Sequence, residues 1–225
     1  NIGAEGQYIF GAIFGASIAL GLYPQESILI FPTMILAGAL GGFIWALIPA
    51  LLKVYFKTNE ILVSLMLVYV AENILASVSQ GMLRNPDGMG LPGSRNLKDY
   101  PSAHNSEIIA NSGIHWGVLT AFLAVILAYF LFLKHQKGYE IVISGEAPKA
   151  AYFAGINPSK TIIFCMGVSG LLAGTAGLFE VAGPAGQITM SFNSGYGFTA
   201  IIVAFLGRLN PLGILMAGLL MALTY

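Results

Sequence analysis

Long runs of apolar residues, separated by short polar segments, make up most of this chain. Five of these runs approach or exceed the roughly 20 apolar residues that a helix needs to cross the hydrocarbon core of a membrane. They lie at about 28–52, 61–80, 115–133, 162–182 and 197–224. A shorter run at 7–22 contains several glycines and is interpreted as a sixth span. The pattern predicts an all-α, polytopic helical transmembrane bundle of about six segments, forming one domain over residues 1–225.

The last of these runs contains a break. Arg208 and Asn210 precede Pro211, which has no backbone N–H and cannot continue a regular helix. Neither half is long enough to span a membrane alone, so the run forms either one kinked helix or a re-entrant pair enclosed by protein. Because a charge that faces lipid is costly, Arg208 is expected to face a cavity, an acidic partner or an interface.

The lysines predict which loops lie in the cytoplasm. Six of them fall in two loops, one after the second span and one after the fourth: Lys53, Lys57, Lys134, Lys137, Lys149 and Lys160. Short cytoplasmic loops retain positive charge, so 53–60 and 134–160 are predicted to be cytoplasmic. The segment 81–114 is then external, and its Gly, Pro, Asn and Ser residues indicate an irregular loop.

The overall composition excludes an ordinary soluble domain. Hydrophobic residues make up 56% of the chain and charged residues only 9%, whereas soluble domains carry about 25% charged residues. Ten basic and ten acidic residues cancel, which gives no reason to expect nucleic acid as a partner. The chain begins without Met and ends within an apolar run, so we expect a transmembrane domain truncated at both ends.

Glycines recur along the fifth span at spacings of three and four residues. They are Gly167, Gly170, Gly174 and Gly177. This spacing places all four on one face of a helix, where small residues let a neighbouring backbone approach closely. The sequence therefore predicts a helix-packing face.

Three carboxylates fall in or beside the spans, namely Glu5, Glu72 and Glu180. Ionisable groups at this depth are candidates for function because burying them is costly. Glu72 is the least able to reach an interface. It either lines a polar cavity or forms an internal pair.

The sequence offers little for an enzyme. His104, His115 and His135 lie in loops or at the edge of a span, so none can act as the base for a buried serine such as Ser169. No His-Glu-x-x-His motif or Cys/His cluster is present, and no metal site is predicted. The stretch 155–161 echoes a phosphate-binding loop, but Ser159 replaces its second glycine, so we do not expect this chain to bind ATP.

Within the segment 134–160, residues 146–154 suit a short helix with small side chains, closed by Gly155 at its C-terminal cap. Such a helix could dock in a groove of a partner, or the segment could be a plain connecting loop. The residues expected at this contact are Gly145, Glu146, Ala147, Ala150, Ala151 and Gly155.

Four segments of the chain resemble a known family. They read Asn-Ile-Gly-Ala-Glu-Gly-Gln at 1–7, Lys-Thr-Asn-Glu-Ile at 57–61, Ala-Ala-Tyr-Phe-Ala-Gly-Ile-Asn at 150–157 and Gly-Tyr-Gly-Phe-Thr-Ala-Ile at 195–201. In this order they resemble the permease subunits of bacterial branched-chain amino-acid, ribose and nucleoside ABC importers. The opening segment is most similar to the nucleoside and simple-sugar branch. One departure is Val-Ile-Ser-Gly at 142–145, where the family commonly has Arg-Ala-Val-Gly.

The resemblance implies a complex in the bacterial inner membrane. It would contain two permease chains, as a homodimer or heterodimer, two cytoplasmic ATPases that hold ATP and Mg, and an external substrate-binding protein. The residues 138–157 would form the coupling loop that the ATPase receives. The permease would need no cofactor of its own.

The expected function is alternating access for a small polar solute, a nucleoside or a simple sugar. Such a solute needs hydrogen-bonding groups along its path, and the candidates are Asn59, Glu60, Glu72, Asn73, Gln80 and Asn193. The alternative is a secondary transporter or a channel that works without an ATPase. Its halves should show an internal repeat, and none is evident in the sequence.

Overall fold

The computed structural model describes residues 1–88, 90–109 and 112–224, and these form nine α-helices and one 3-10 turn at Leu97–Asp99. In chain order the helices are α1 (Ala4–Leu22), α2 (Ile30–Phe56), α3 (Glu60–Gln80), α4 (Trp116–Lys134), α5 (Gln136–Glu146), α6 (Pro148–Phe153), α7 (Pro158–Ala182), α8 (Tyr196–Leu206) and α9 (Pro211–Ala222). The only β pairing in the described ranges is an isolated bridge between Glu107 and His115. The predicted all-α fold is confirmed.

Four helices, α2, α3, α4 and α7, are long and apolar enough to cross a membrane. Each coincides with a predicted span. The run at 7–22 also forms a helix, α1, but it falls outside this set. Glu5 and Gln7 lie near the start of α1 and lower its mean hydropathy. A larger share of its residues is buried than in any other helix of the described ranges.

The core of the bundle is the packing of α1, α2 and α7 against one another. Their backbones touch at glycines. A Cβ added to Gly174 would lie 2.9 Å from the Cα of Gly42, and one added to Gly177 would lie 2.8 Å from the carbonyl carbon of Tyr8. Gly167 and Gly170 pack on the same face of α7, against Phe43 and Gly42 of α2. All four predicted glycines therefore lie at helix contacts.

The break in the last apolar run separates two helices. Arg208 and Leu209 adopt the left-handed conformation, with φ of 55° and 56°, and reverse the chain between α8 and α9. Gly207 contacts Gly213 beside the turn. At a greater distance from the turn, a Cβ added to Gly218 would lie 3.9 Å from Cγ1 of Val203. The two helices therefore run antiparallel as a helical hairpin, with Arg208 exposed at its tip.

The segment predicted as a loop at 134–160 is mostly helical. The prediction missed α5, an 11-residue helix, and gave α6 too long a range, since α6 covers only Pro148–Phe153. Ala147 leaves helical geometry, and Pro148 then starts α6 at a position where its missing N–H is not needed. Gly155 follows α6 with φ +80°, and the N–H of Ile156 bonds to the carbonyl of Ala151 at 2.9 Å, which closes the helix.

The packing contacts fix the directions of the main helices. Phe43 of α2 contacts Gly167 of α7, and Gly38 contacts Gly174, so the two helices run antiparallel. The C-terminus of α2 and the N-terminus of α7 therefore lie at the same end of the bundle. We call it the lysine-rich end, because Lys53, Lys57 and the segment 134–160 lie there.

Candidate functional site

The six predicted pathway residues all lie on or against α3. Asn59 caps the helix by accepting a 3.0 Å hydrogen bond from the N–H of Ile61. Glu60, in its first turn, forms an ion pair with Lys53 of α2. Asn73 and Gln80 lie further along the same helix, which is 21 residues and therefore about 30 Å long. These residues mark a line through the bundle rather than one pocket.

Two of the six residues meet at the middle of this line. The side-chain amide of Asn193 donates a 2.6 Å hydrogen bond to the carboxylate of Glu72. Nearer the end of the helix, the amide of Gln80 donates to the sulfur of Met190 at 3.4 Å. The segment between α7 and α8 thus packs along the second half of α3. Glu72 forms the internal pair that was one of its two expected roles.

One face of α3 is not covered by the described residues. Leu62, Met66 and Tyr69 are 60%, 68% and 68% exposed, and Asn73 and Gln80 continue the same face at helical spacing. Among the described residues, the partner of the Asn73 amide lies in its own helix, the carbonyl of Tyr69 at 2.7 Å. Because amides facing lipid are costly, a polar stripe at this position needs water or protein against it.

A cavity of about 510 Å³ opens between the first turns of α1 and α3, the middle of α7, and α8. We call it the lysine-end cavity. Its polar lining residues are Asn1, Glu60, Ser64 and Ser169. The volume lies within the about 300–1,000 Å³ typical of small-molecule sites.

A hydrogen-bonded network holds the polar wall of this cavity. The side chain of Asn1 donates to Gln7 at 2.6 Å and to Ser169 at 2.7 Å, and Gln7 donates back to Asn1 at 3.1 Å. Sequence reasoning did not select Gln7 or Ser169 as pathway residues. The available signal was weak, because each is one of several polar side chains in its apolar run, and packing was needed to bring the two together.

A second cavity of about 310 Å³ adjoins the first. We call it the Glu180 cavity. Its lining residues come from α1, α7 and α8 and are Ala4, Tyr8, Ala173, Ala176, Glu180, Tyr196, Gly197 and Ala200. Ala4, Gly197 and Ala200 also line the lysine-end cavity. The two cavities therefore form consecutive parts of one groove between α1, α7 and α8.

Glu5 lies beside the point where the two cavities meet. Its side chain is fully buried, and its Oε2 accepts a hydrogen bond from the N–H of Gly197 in the first turn of α8. A carboxylate is favourable here because the N-terminus of a helix carries partial positive charge. The other oxygen, Oε1, is buried without a hydrogen-bond partner among the described residues.

The structure divides the predicted coupling residues into two groups. Gly145 and Glu146 end α5, Ala147 joins it to α6, and Ala150 is exposed. Ala151, by contrast, is fully buried within the chain itself.

The expectation that small side chains form the outward surface of α6 is therefore incomplete. The largest exposed groups there are Tyr152 and Phe153, at 70% and 88% exposure. The prediction from the sequence considered the small residues of this helix and overlooked these two aromatic side chains.

Residues 1–88, 90–109 and 112–224 contain no group of three His, Cys, Asp or Glu side chains that could hold a metal ion. The candidate site consists of a polar groove and an uncovered helix face, whose described groups are suited to binding a solute through hydrogen bonds.

Comparison with known proteins gives relatives over nearly the whole chain. A glucose ABC transporter permease of Haloferax volcanii is 32% identical and matches 100% of this chain and 61% of its own length. A guanosine ABC transporter permease of Bacillus subtilis and a nucleoside ABC transporter permease of Lactococcus lactis are each 30% identical, matching 98% of this chain and 63% and 62% of their own lengths. The chain thus spans about three fifths of these relatives. No solved structure is significantly similar to it.

The family model described as the permease component of the branched-chain amino acid transport system matches residues 1–225. The predicted resemblance to permeases of this kind, closest to the nucleoside and sugar branch, is confirmed by these relatives. The helices that are long and apolar enough to cross a membrane agree with a multi-pass membrane protein. This chain belongs to the permease family of the branched-chain amino acid transport systems.

Proposed function

We propose that this chain forms the membrane-spanning part of an ATP-driven importer in the bacterial inner membrane. The observation that carries the proposal is the family match over all 225 residues. The cargo is a neutral polar solute, a nucleoside or a simple sugar. Support for that class comes from the names of the relatives and from the lining of the lysine-end cavity, where Asn1, Ser64 and Ser169 offer uncharged hydrogen-bonding groups.

The chain supplies a path, and a separate pair of ATPase chains supplies the energy. ATP and Mg bind to those partners, and ATP binding favours one arrangement of the permease over another. A solute then moves because its site opens to opposite sides of the membrane in the two arrangements. An external substrate-binding protein delivers the solute.

A second permease chain covers the exposed face of α3. Tyr69, Asn73 and Gln80 form a polar and aromatic stripe that lipid would not solvate well. Placed between two permease chains, this stripe lines a wet path, and Tyr69 offers an aromatic surface for a base or a sugar ring. The partner is a second copy or a related permease.

The lysine-rich end receives the ATPase. Tyr152 and Phe153 project from α6 and would enter a groove of that partner, while the buried Ala151 keeps α6 seated on its own chain. Exposed aromatic residues of this kind commonly anchor protein interfaces.

Uptake by the complete importer tests the proposal. The full-length permease is reconstituted in vesicles with its ATPases and binding protein, and uptake of guanosine, glucose and leucine is measured with and without ATP. ATP-dependent uptake of guanosine or glucose, but not of leucine, is the expected result. Uptake that is unchanged without the ATPase would instead assign a secondary transporter or channel.

A further inference from the structure

The contact between Glu5 and the first turn of α8 separates the two cavities of the groove. Ala4 and Gly197 line both cavities. Ala4 precedes Glu5 in the chain, and the N–H of Gly197 donates a hydrogen bond to the Glu5 carboxylate. A Cβ added to Gly197 would lie 2.6 Å from the Cα of Glu5. The two backbones thus touch, and no space for a solute remains between them.

The helix on the other side of this contact is α8, which forms a hairpin with α9, and α9 in turn packs on α4. The α8–α9 hairpin reverses at Arg208 and Leu209, and its helices pack on each other. Beside the Glu5 contact, the ring of Tyr8 stacks on Phe192 at 5.2 Å and meets Tyr196 edge-on at 6.1 Å. The first turn of α8, and the segment immediately before that helix, therefore attach the hairpin to α1.

The carboxylate of Glu5 uses only part of its bonding capacity. Oε2 accepts the N–H of Gly197, while Oε1 is buried and unpartnered among the described residues. A buried carboxylate oxygen without a donor is unfavourable, so the closed contact is less stable than a fully bonded one. Moving α8 away would let water or a solute hydroxyl reach Oε1.

We propose that Glu5 is a positioning residue that holds the α8–α9 hairpin against α1, and that this contact is the barrier between the two cavities. The inference rests on the proposed function, because the groove is taken as part of the solute path. The barrier opens when the first turn of α8 leaves Glu5, and it closes when the N–H of Gly197 returns to the carboxylate.

Thiol labelling tests this barrier independently of transport. The reporter is Ala173→Cys in a full-length Cys165→Ser permease assembled with its ATPases, because Ala173 lines the Glu180 cavity but not the lysine-end cavity. Glu5→Gln weakens the hydrogen bond by removing its charge. Gly197→Ala instead pushes α8 away while leaving the carboxylate intact. Each should raise the rate at which a membrane-impermeant methanethiosulfonate reagent, added on the side of the lysine-rich end, labels position 173 by about five- to ten-fold.

Two matched controls carry the same chemical changes elsewhere. Glu26→Gln alters an exposed glutamate, and Gly21→Ala adds a methyl group where no atom lies within 4 Å. Neither should change the labelling rate. A separate set of variants keeps the native Cys165 and leaves Ala173 unchanged, and the labelling of Cys165, half-buried on α7, then reports general loosening. Its rate should stay constant in the Glu5→Gln and Gly197→Ala variants.

The proposal is overturned if neither variant changes labelling at position 173, or if labelling of Cys165 accelerates equally, which would show a general loss of packing. Failure of the proposed function gives a different result. In that case the wild-type complex takes up no nucleoside or sugar, whatever the labelling rates are.

Discussion

The side-chain amide of Asn193 lies 2.6 Å from the carboxylate of Glu72, and this hydrogen bond joins α3 to the segment that leads into α8. The two residues are 121 positions apart in the chain. Asn193 also accepts the N–H of Gly195 at 3.3 Å, just before α8 begins. The pair therefore helps to position the start of the α8–α9 hairpin.

Replacing Asn193 with Ala should leave the Glu72 carboxylate without this donor. We expect the permease to lose about 1.5–3 kcal/mol of stability, since hydrogen bonds to charged groups contribute on this scale. The midpoint of thermal unfolding of the purified permease measures the effect. Asn73→Ala is the control, because its amide bonds to the carbonyl of Tyr69 within α3, and it should change the stability by less than about 0.5 kcal/mol. Equal effects of the two variants would show that the Glu72 bond contributes nothing specific.

Gly174→Ala should disrupt the contact between α2 and α7. The added methyl group would lie 2.9 Å from both the N and the Cα of Gly42, which are backbone atoms that cannot rotate away. Overpacking of this kind costs about 1–3 kcal/mol. Thermal unfolding in detergent should show a lower midpoint for Gly174→Ala than for Gly21→Ala, which adds the same group in open space. A wild-type midpoint for Gly174→Ala would mean that the helices are not held this close.

Gly155→Ala and Gly145→Ala should have opposite effects on the segment that contains α6. Neither added methyl group would meet an atom within 4 Å, so the two sites differ mainly in backbone conformation. Gly155 has φ +80°, which costs a residue with a Cβ about 1–2 kcal/mol, whereas Gly145 lies within α5, where Ala is favoured by about 1 kcal/mol. Hydrogen exchange of the amides in 148–157 should become faster with Gly155→Ala only. Faster exchange with both would exclude the conformational explanation.

Truncating both Tyr152 and Phe153 to Ala should weaken binding of the ATPase by at least about ten-fold, because two exposed aromatic anchors are lost. Binding of the purified ATPase to permease in nanodiscs measures the affinity. The control is Met82→Ala with Leu91→Ala, two exposed apolar residues outside the helices of the lysine-rich end. If both double variants bind the ATPase as well as wild type does, α6 is not the docking element.

The lysine distribution predicts that position 149 is cytoplasmic and position 87 external. Single cysteines at these exposed positions, in a Cys165→Ser background, should differ in their reaction with an impermeant reagent added to intact cells. Asp87→Cys should be labelled at once, and Lys149→Cys only after the cells are opened. Labelling of Lys149→Cys in intact cells would reverse the assigned orientation.

Most helix positions could be predicted because apolar length is a local property. The predicted span at 61–80 differs from α3 (Glu60–Gln80) by one residue at its start, and the span at 115–133 differs from α4 (Trp116–Lys134) by one residue at each end. The α5 helix was missed because its mixed polar and apolar residues follow no span-like pattern, and its glycines favoured a loop. The buried position of Ala151 was missed because small side chains suit the inside of a fold as well as an interface.

The sequence alone determined that this is a helical membrane protein, where the four helices long enough to cross a membrane lie, and to which family its motifs point. These follow from the length of apolar runs, from the cost of unbonded backbone in lipid, and from short ordered motifs. Only the tertiary structure decided that Glu72 meets Asn193, that Glu5 meets the first turn of α8, and that α8 and α9 form a hairpin. The first two contacts join residues more than 100 positions apart, and the hairpin depends on the turn at Arg208 and Leu209. All three depend on how closely and at what angles the helices pack, and no local pattern of residues encodes those angles.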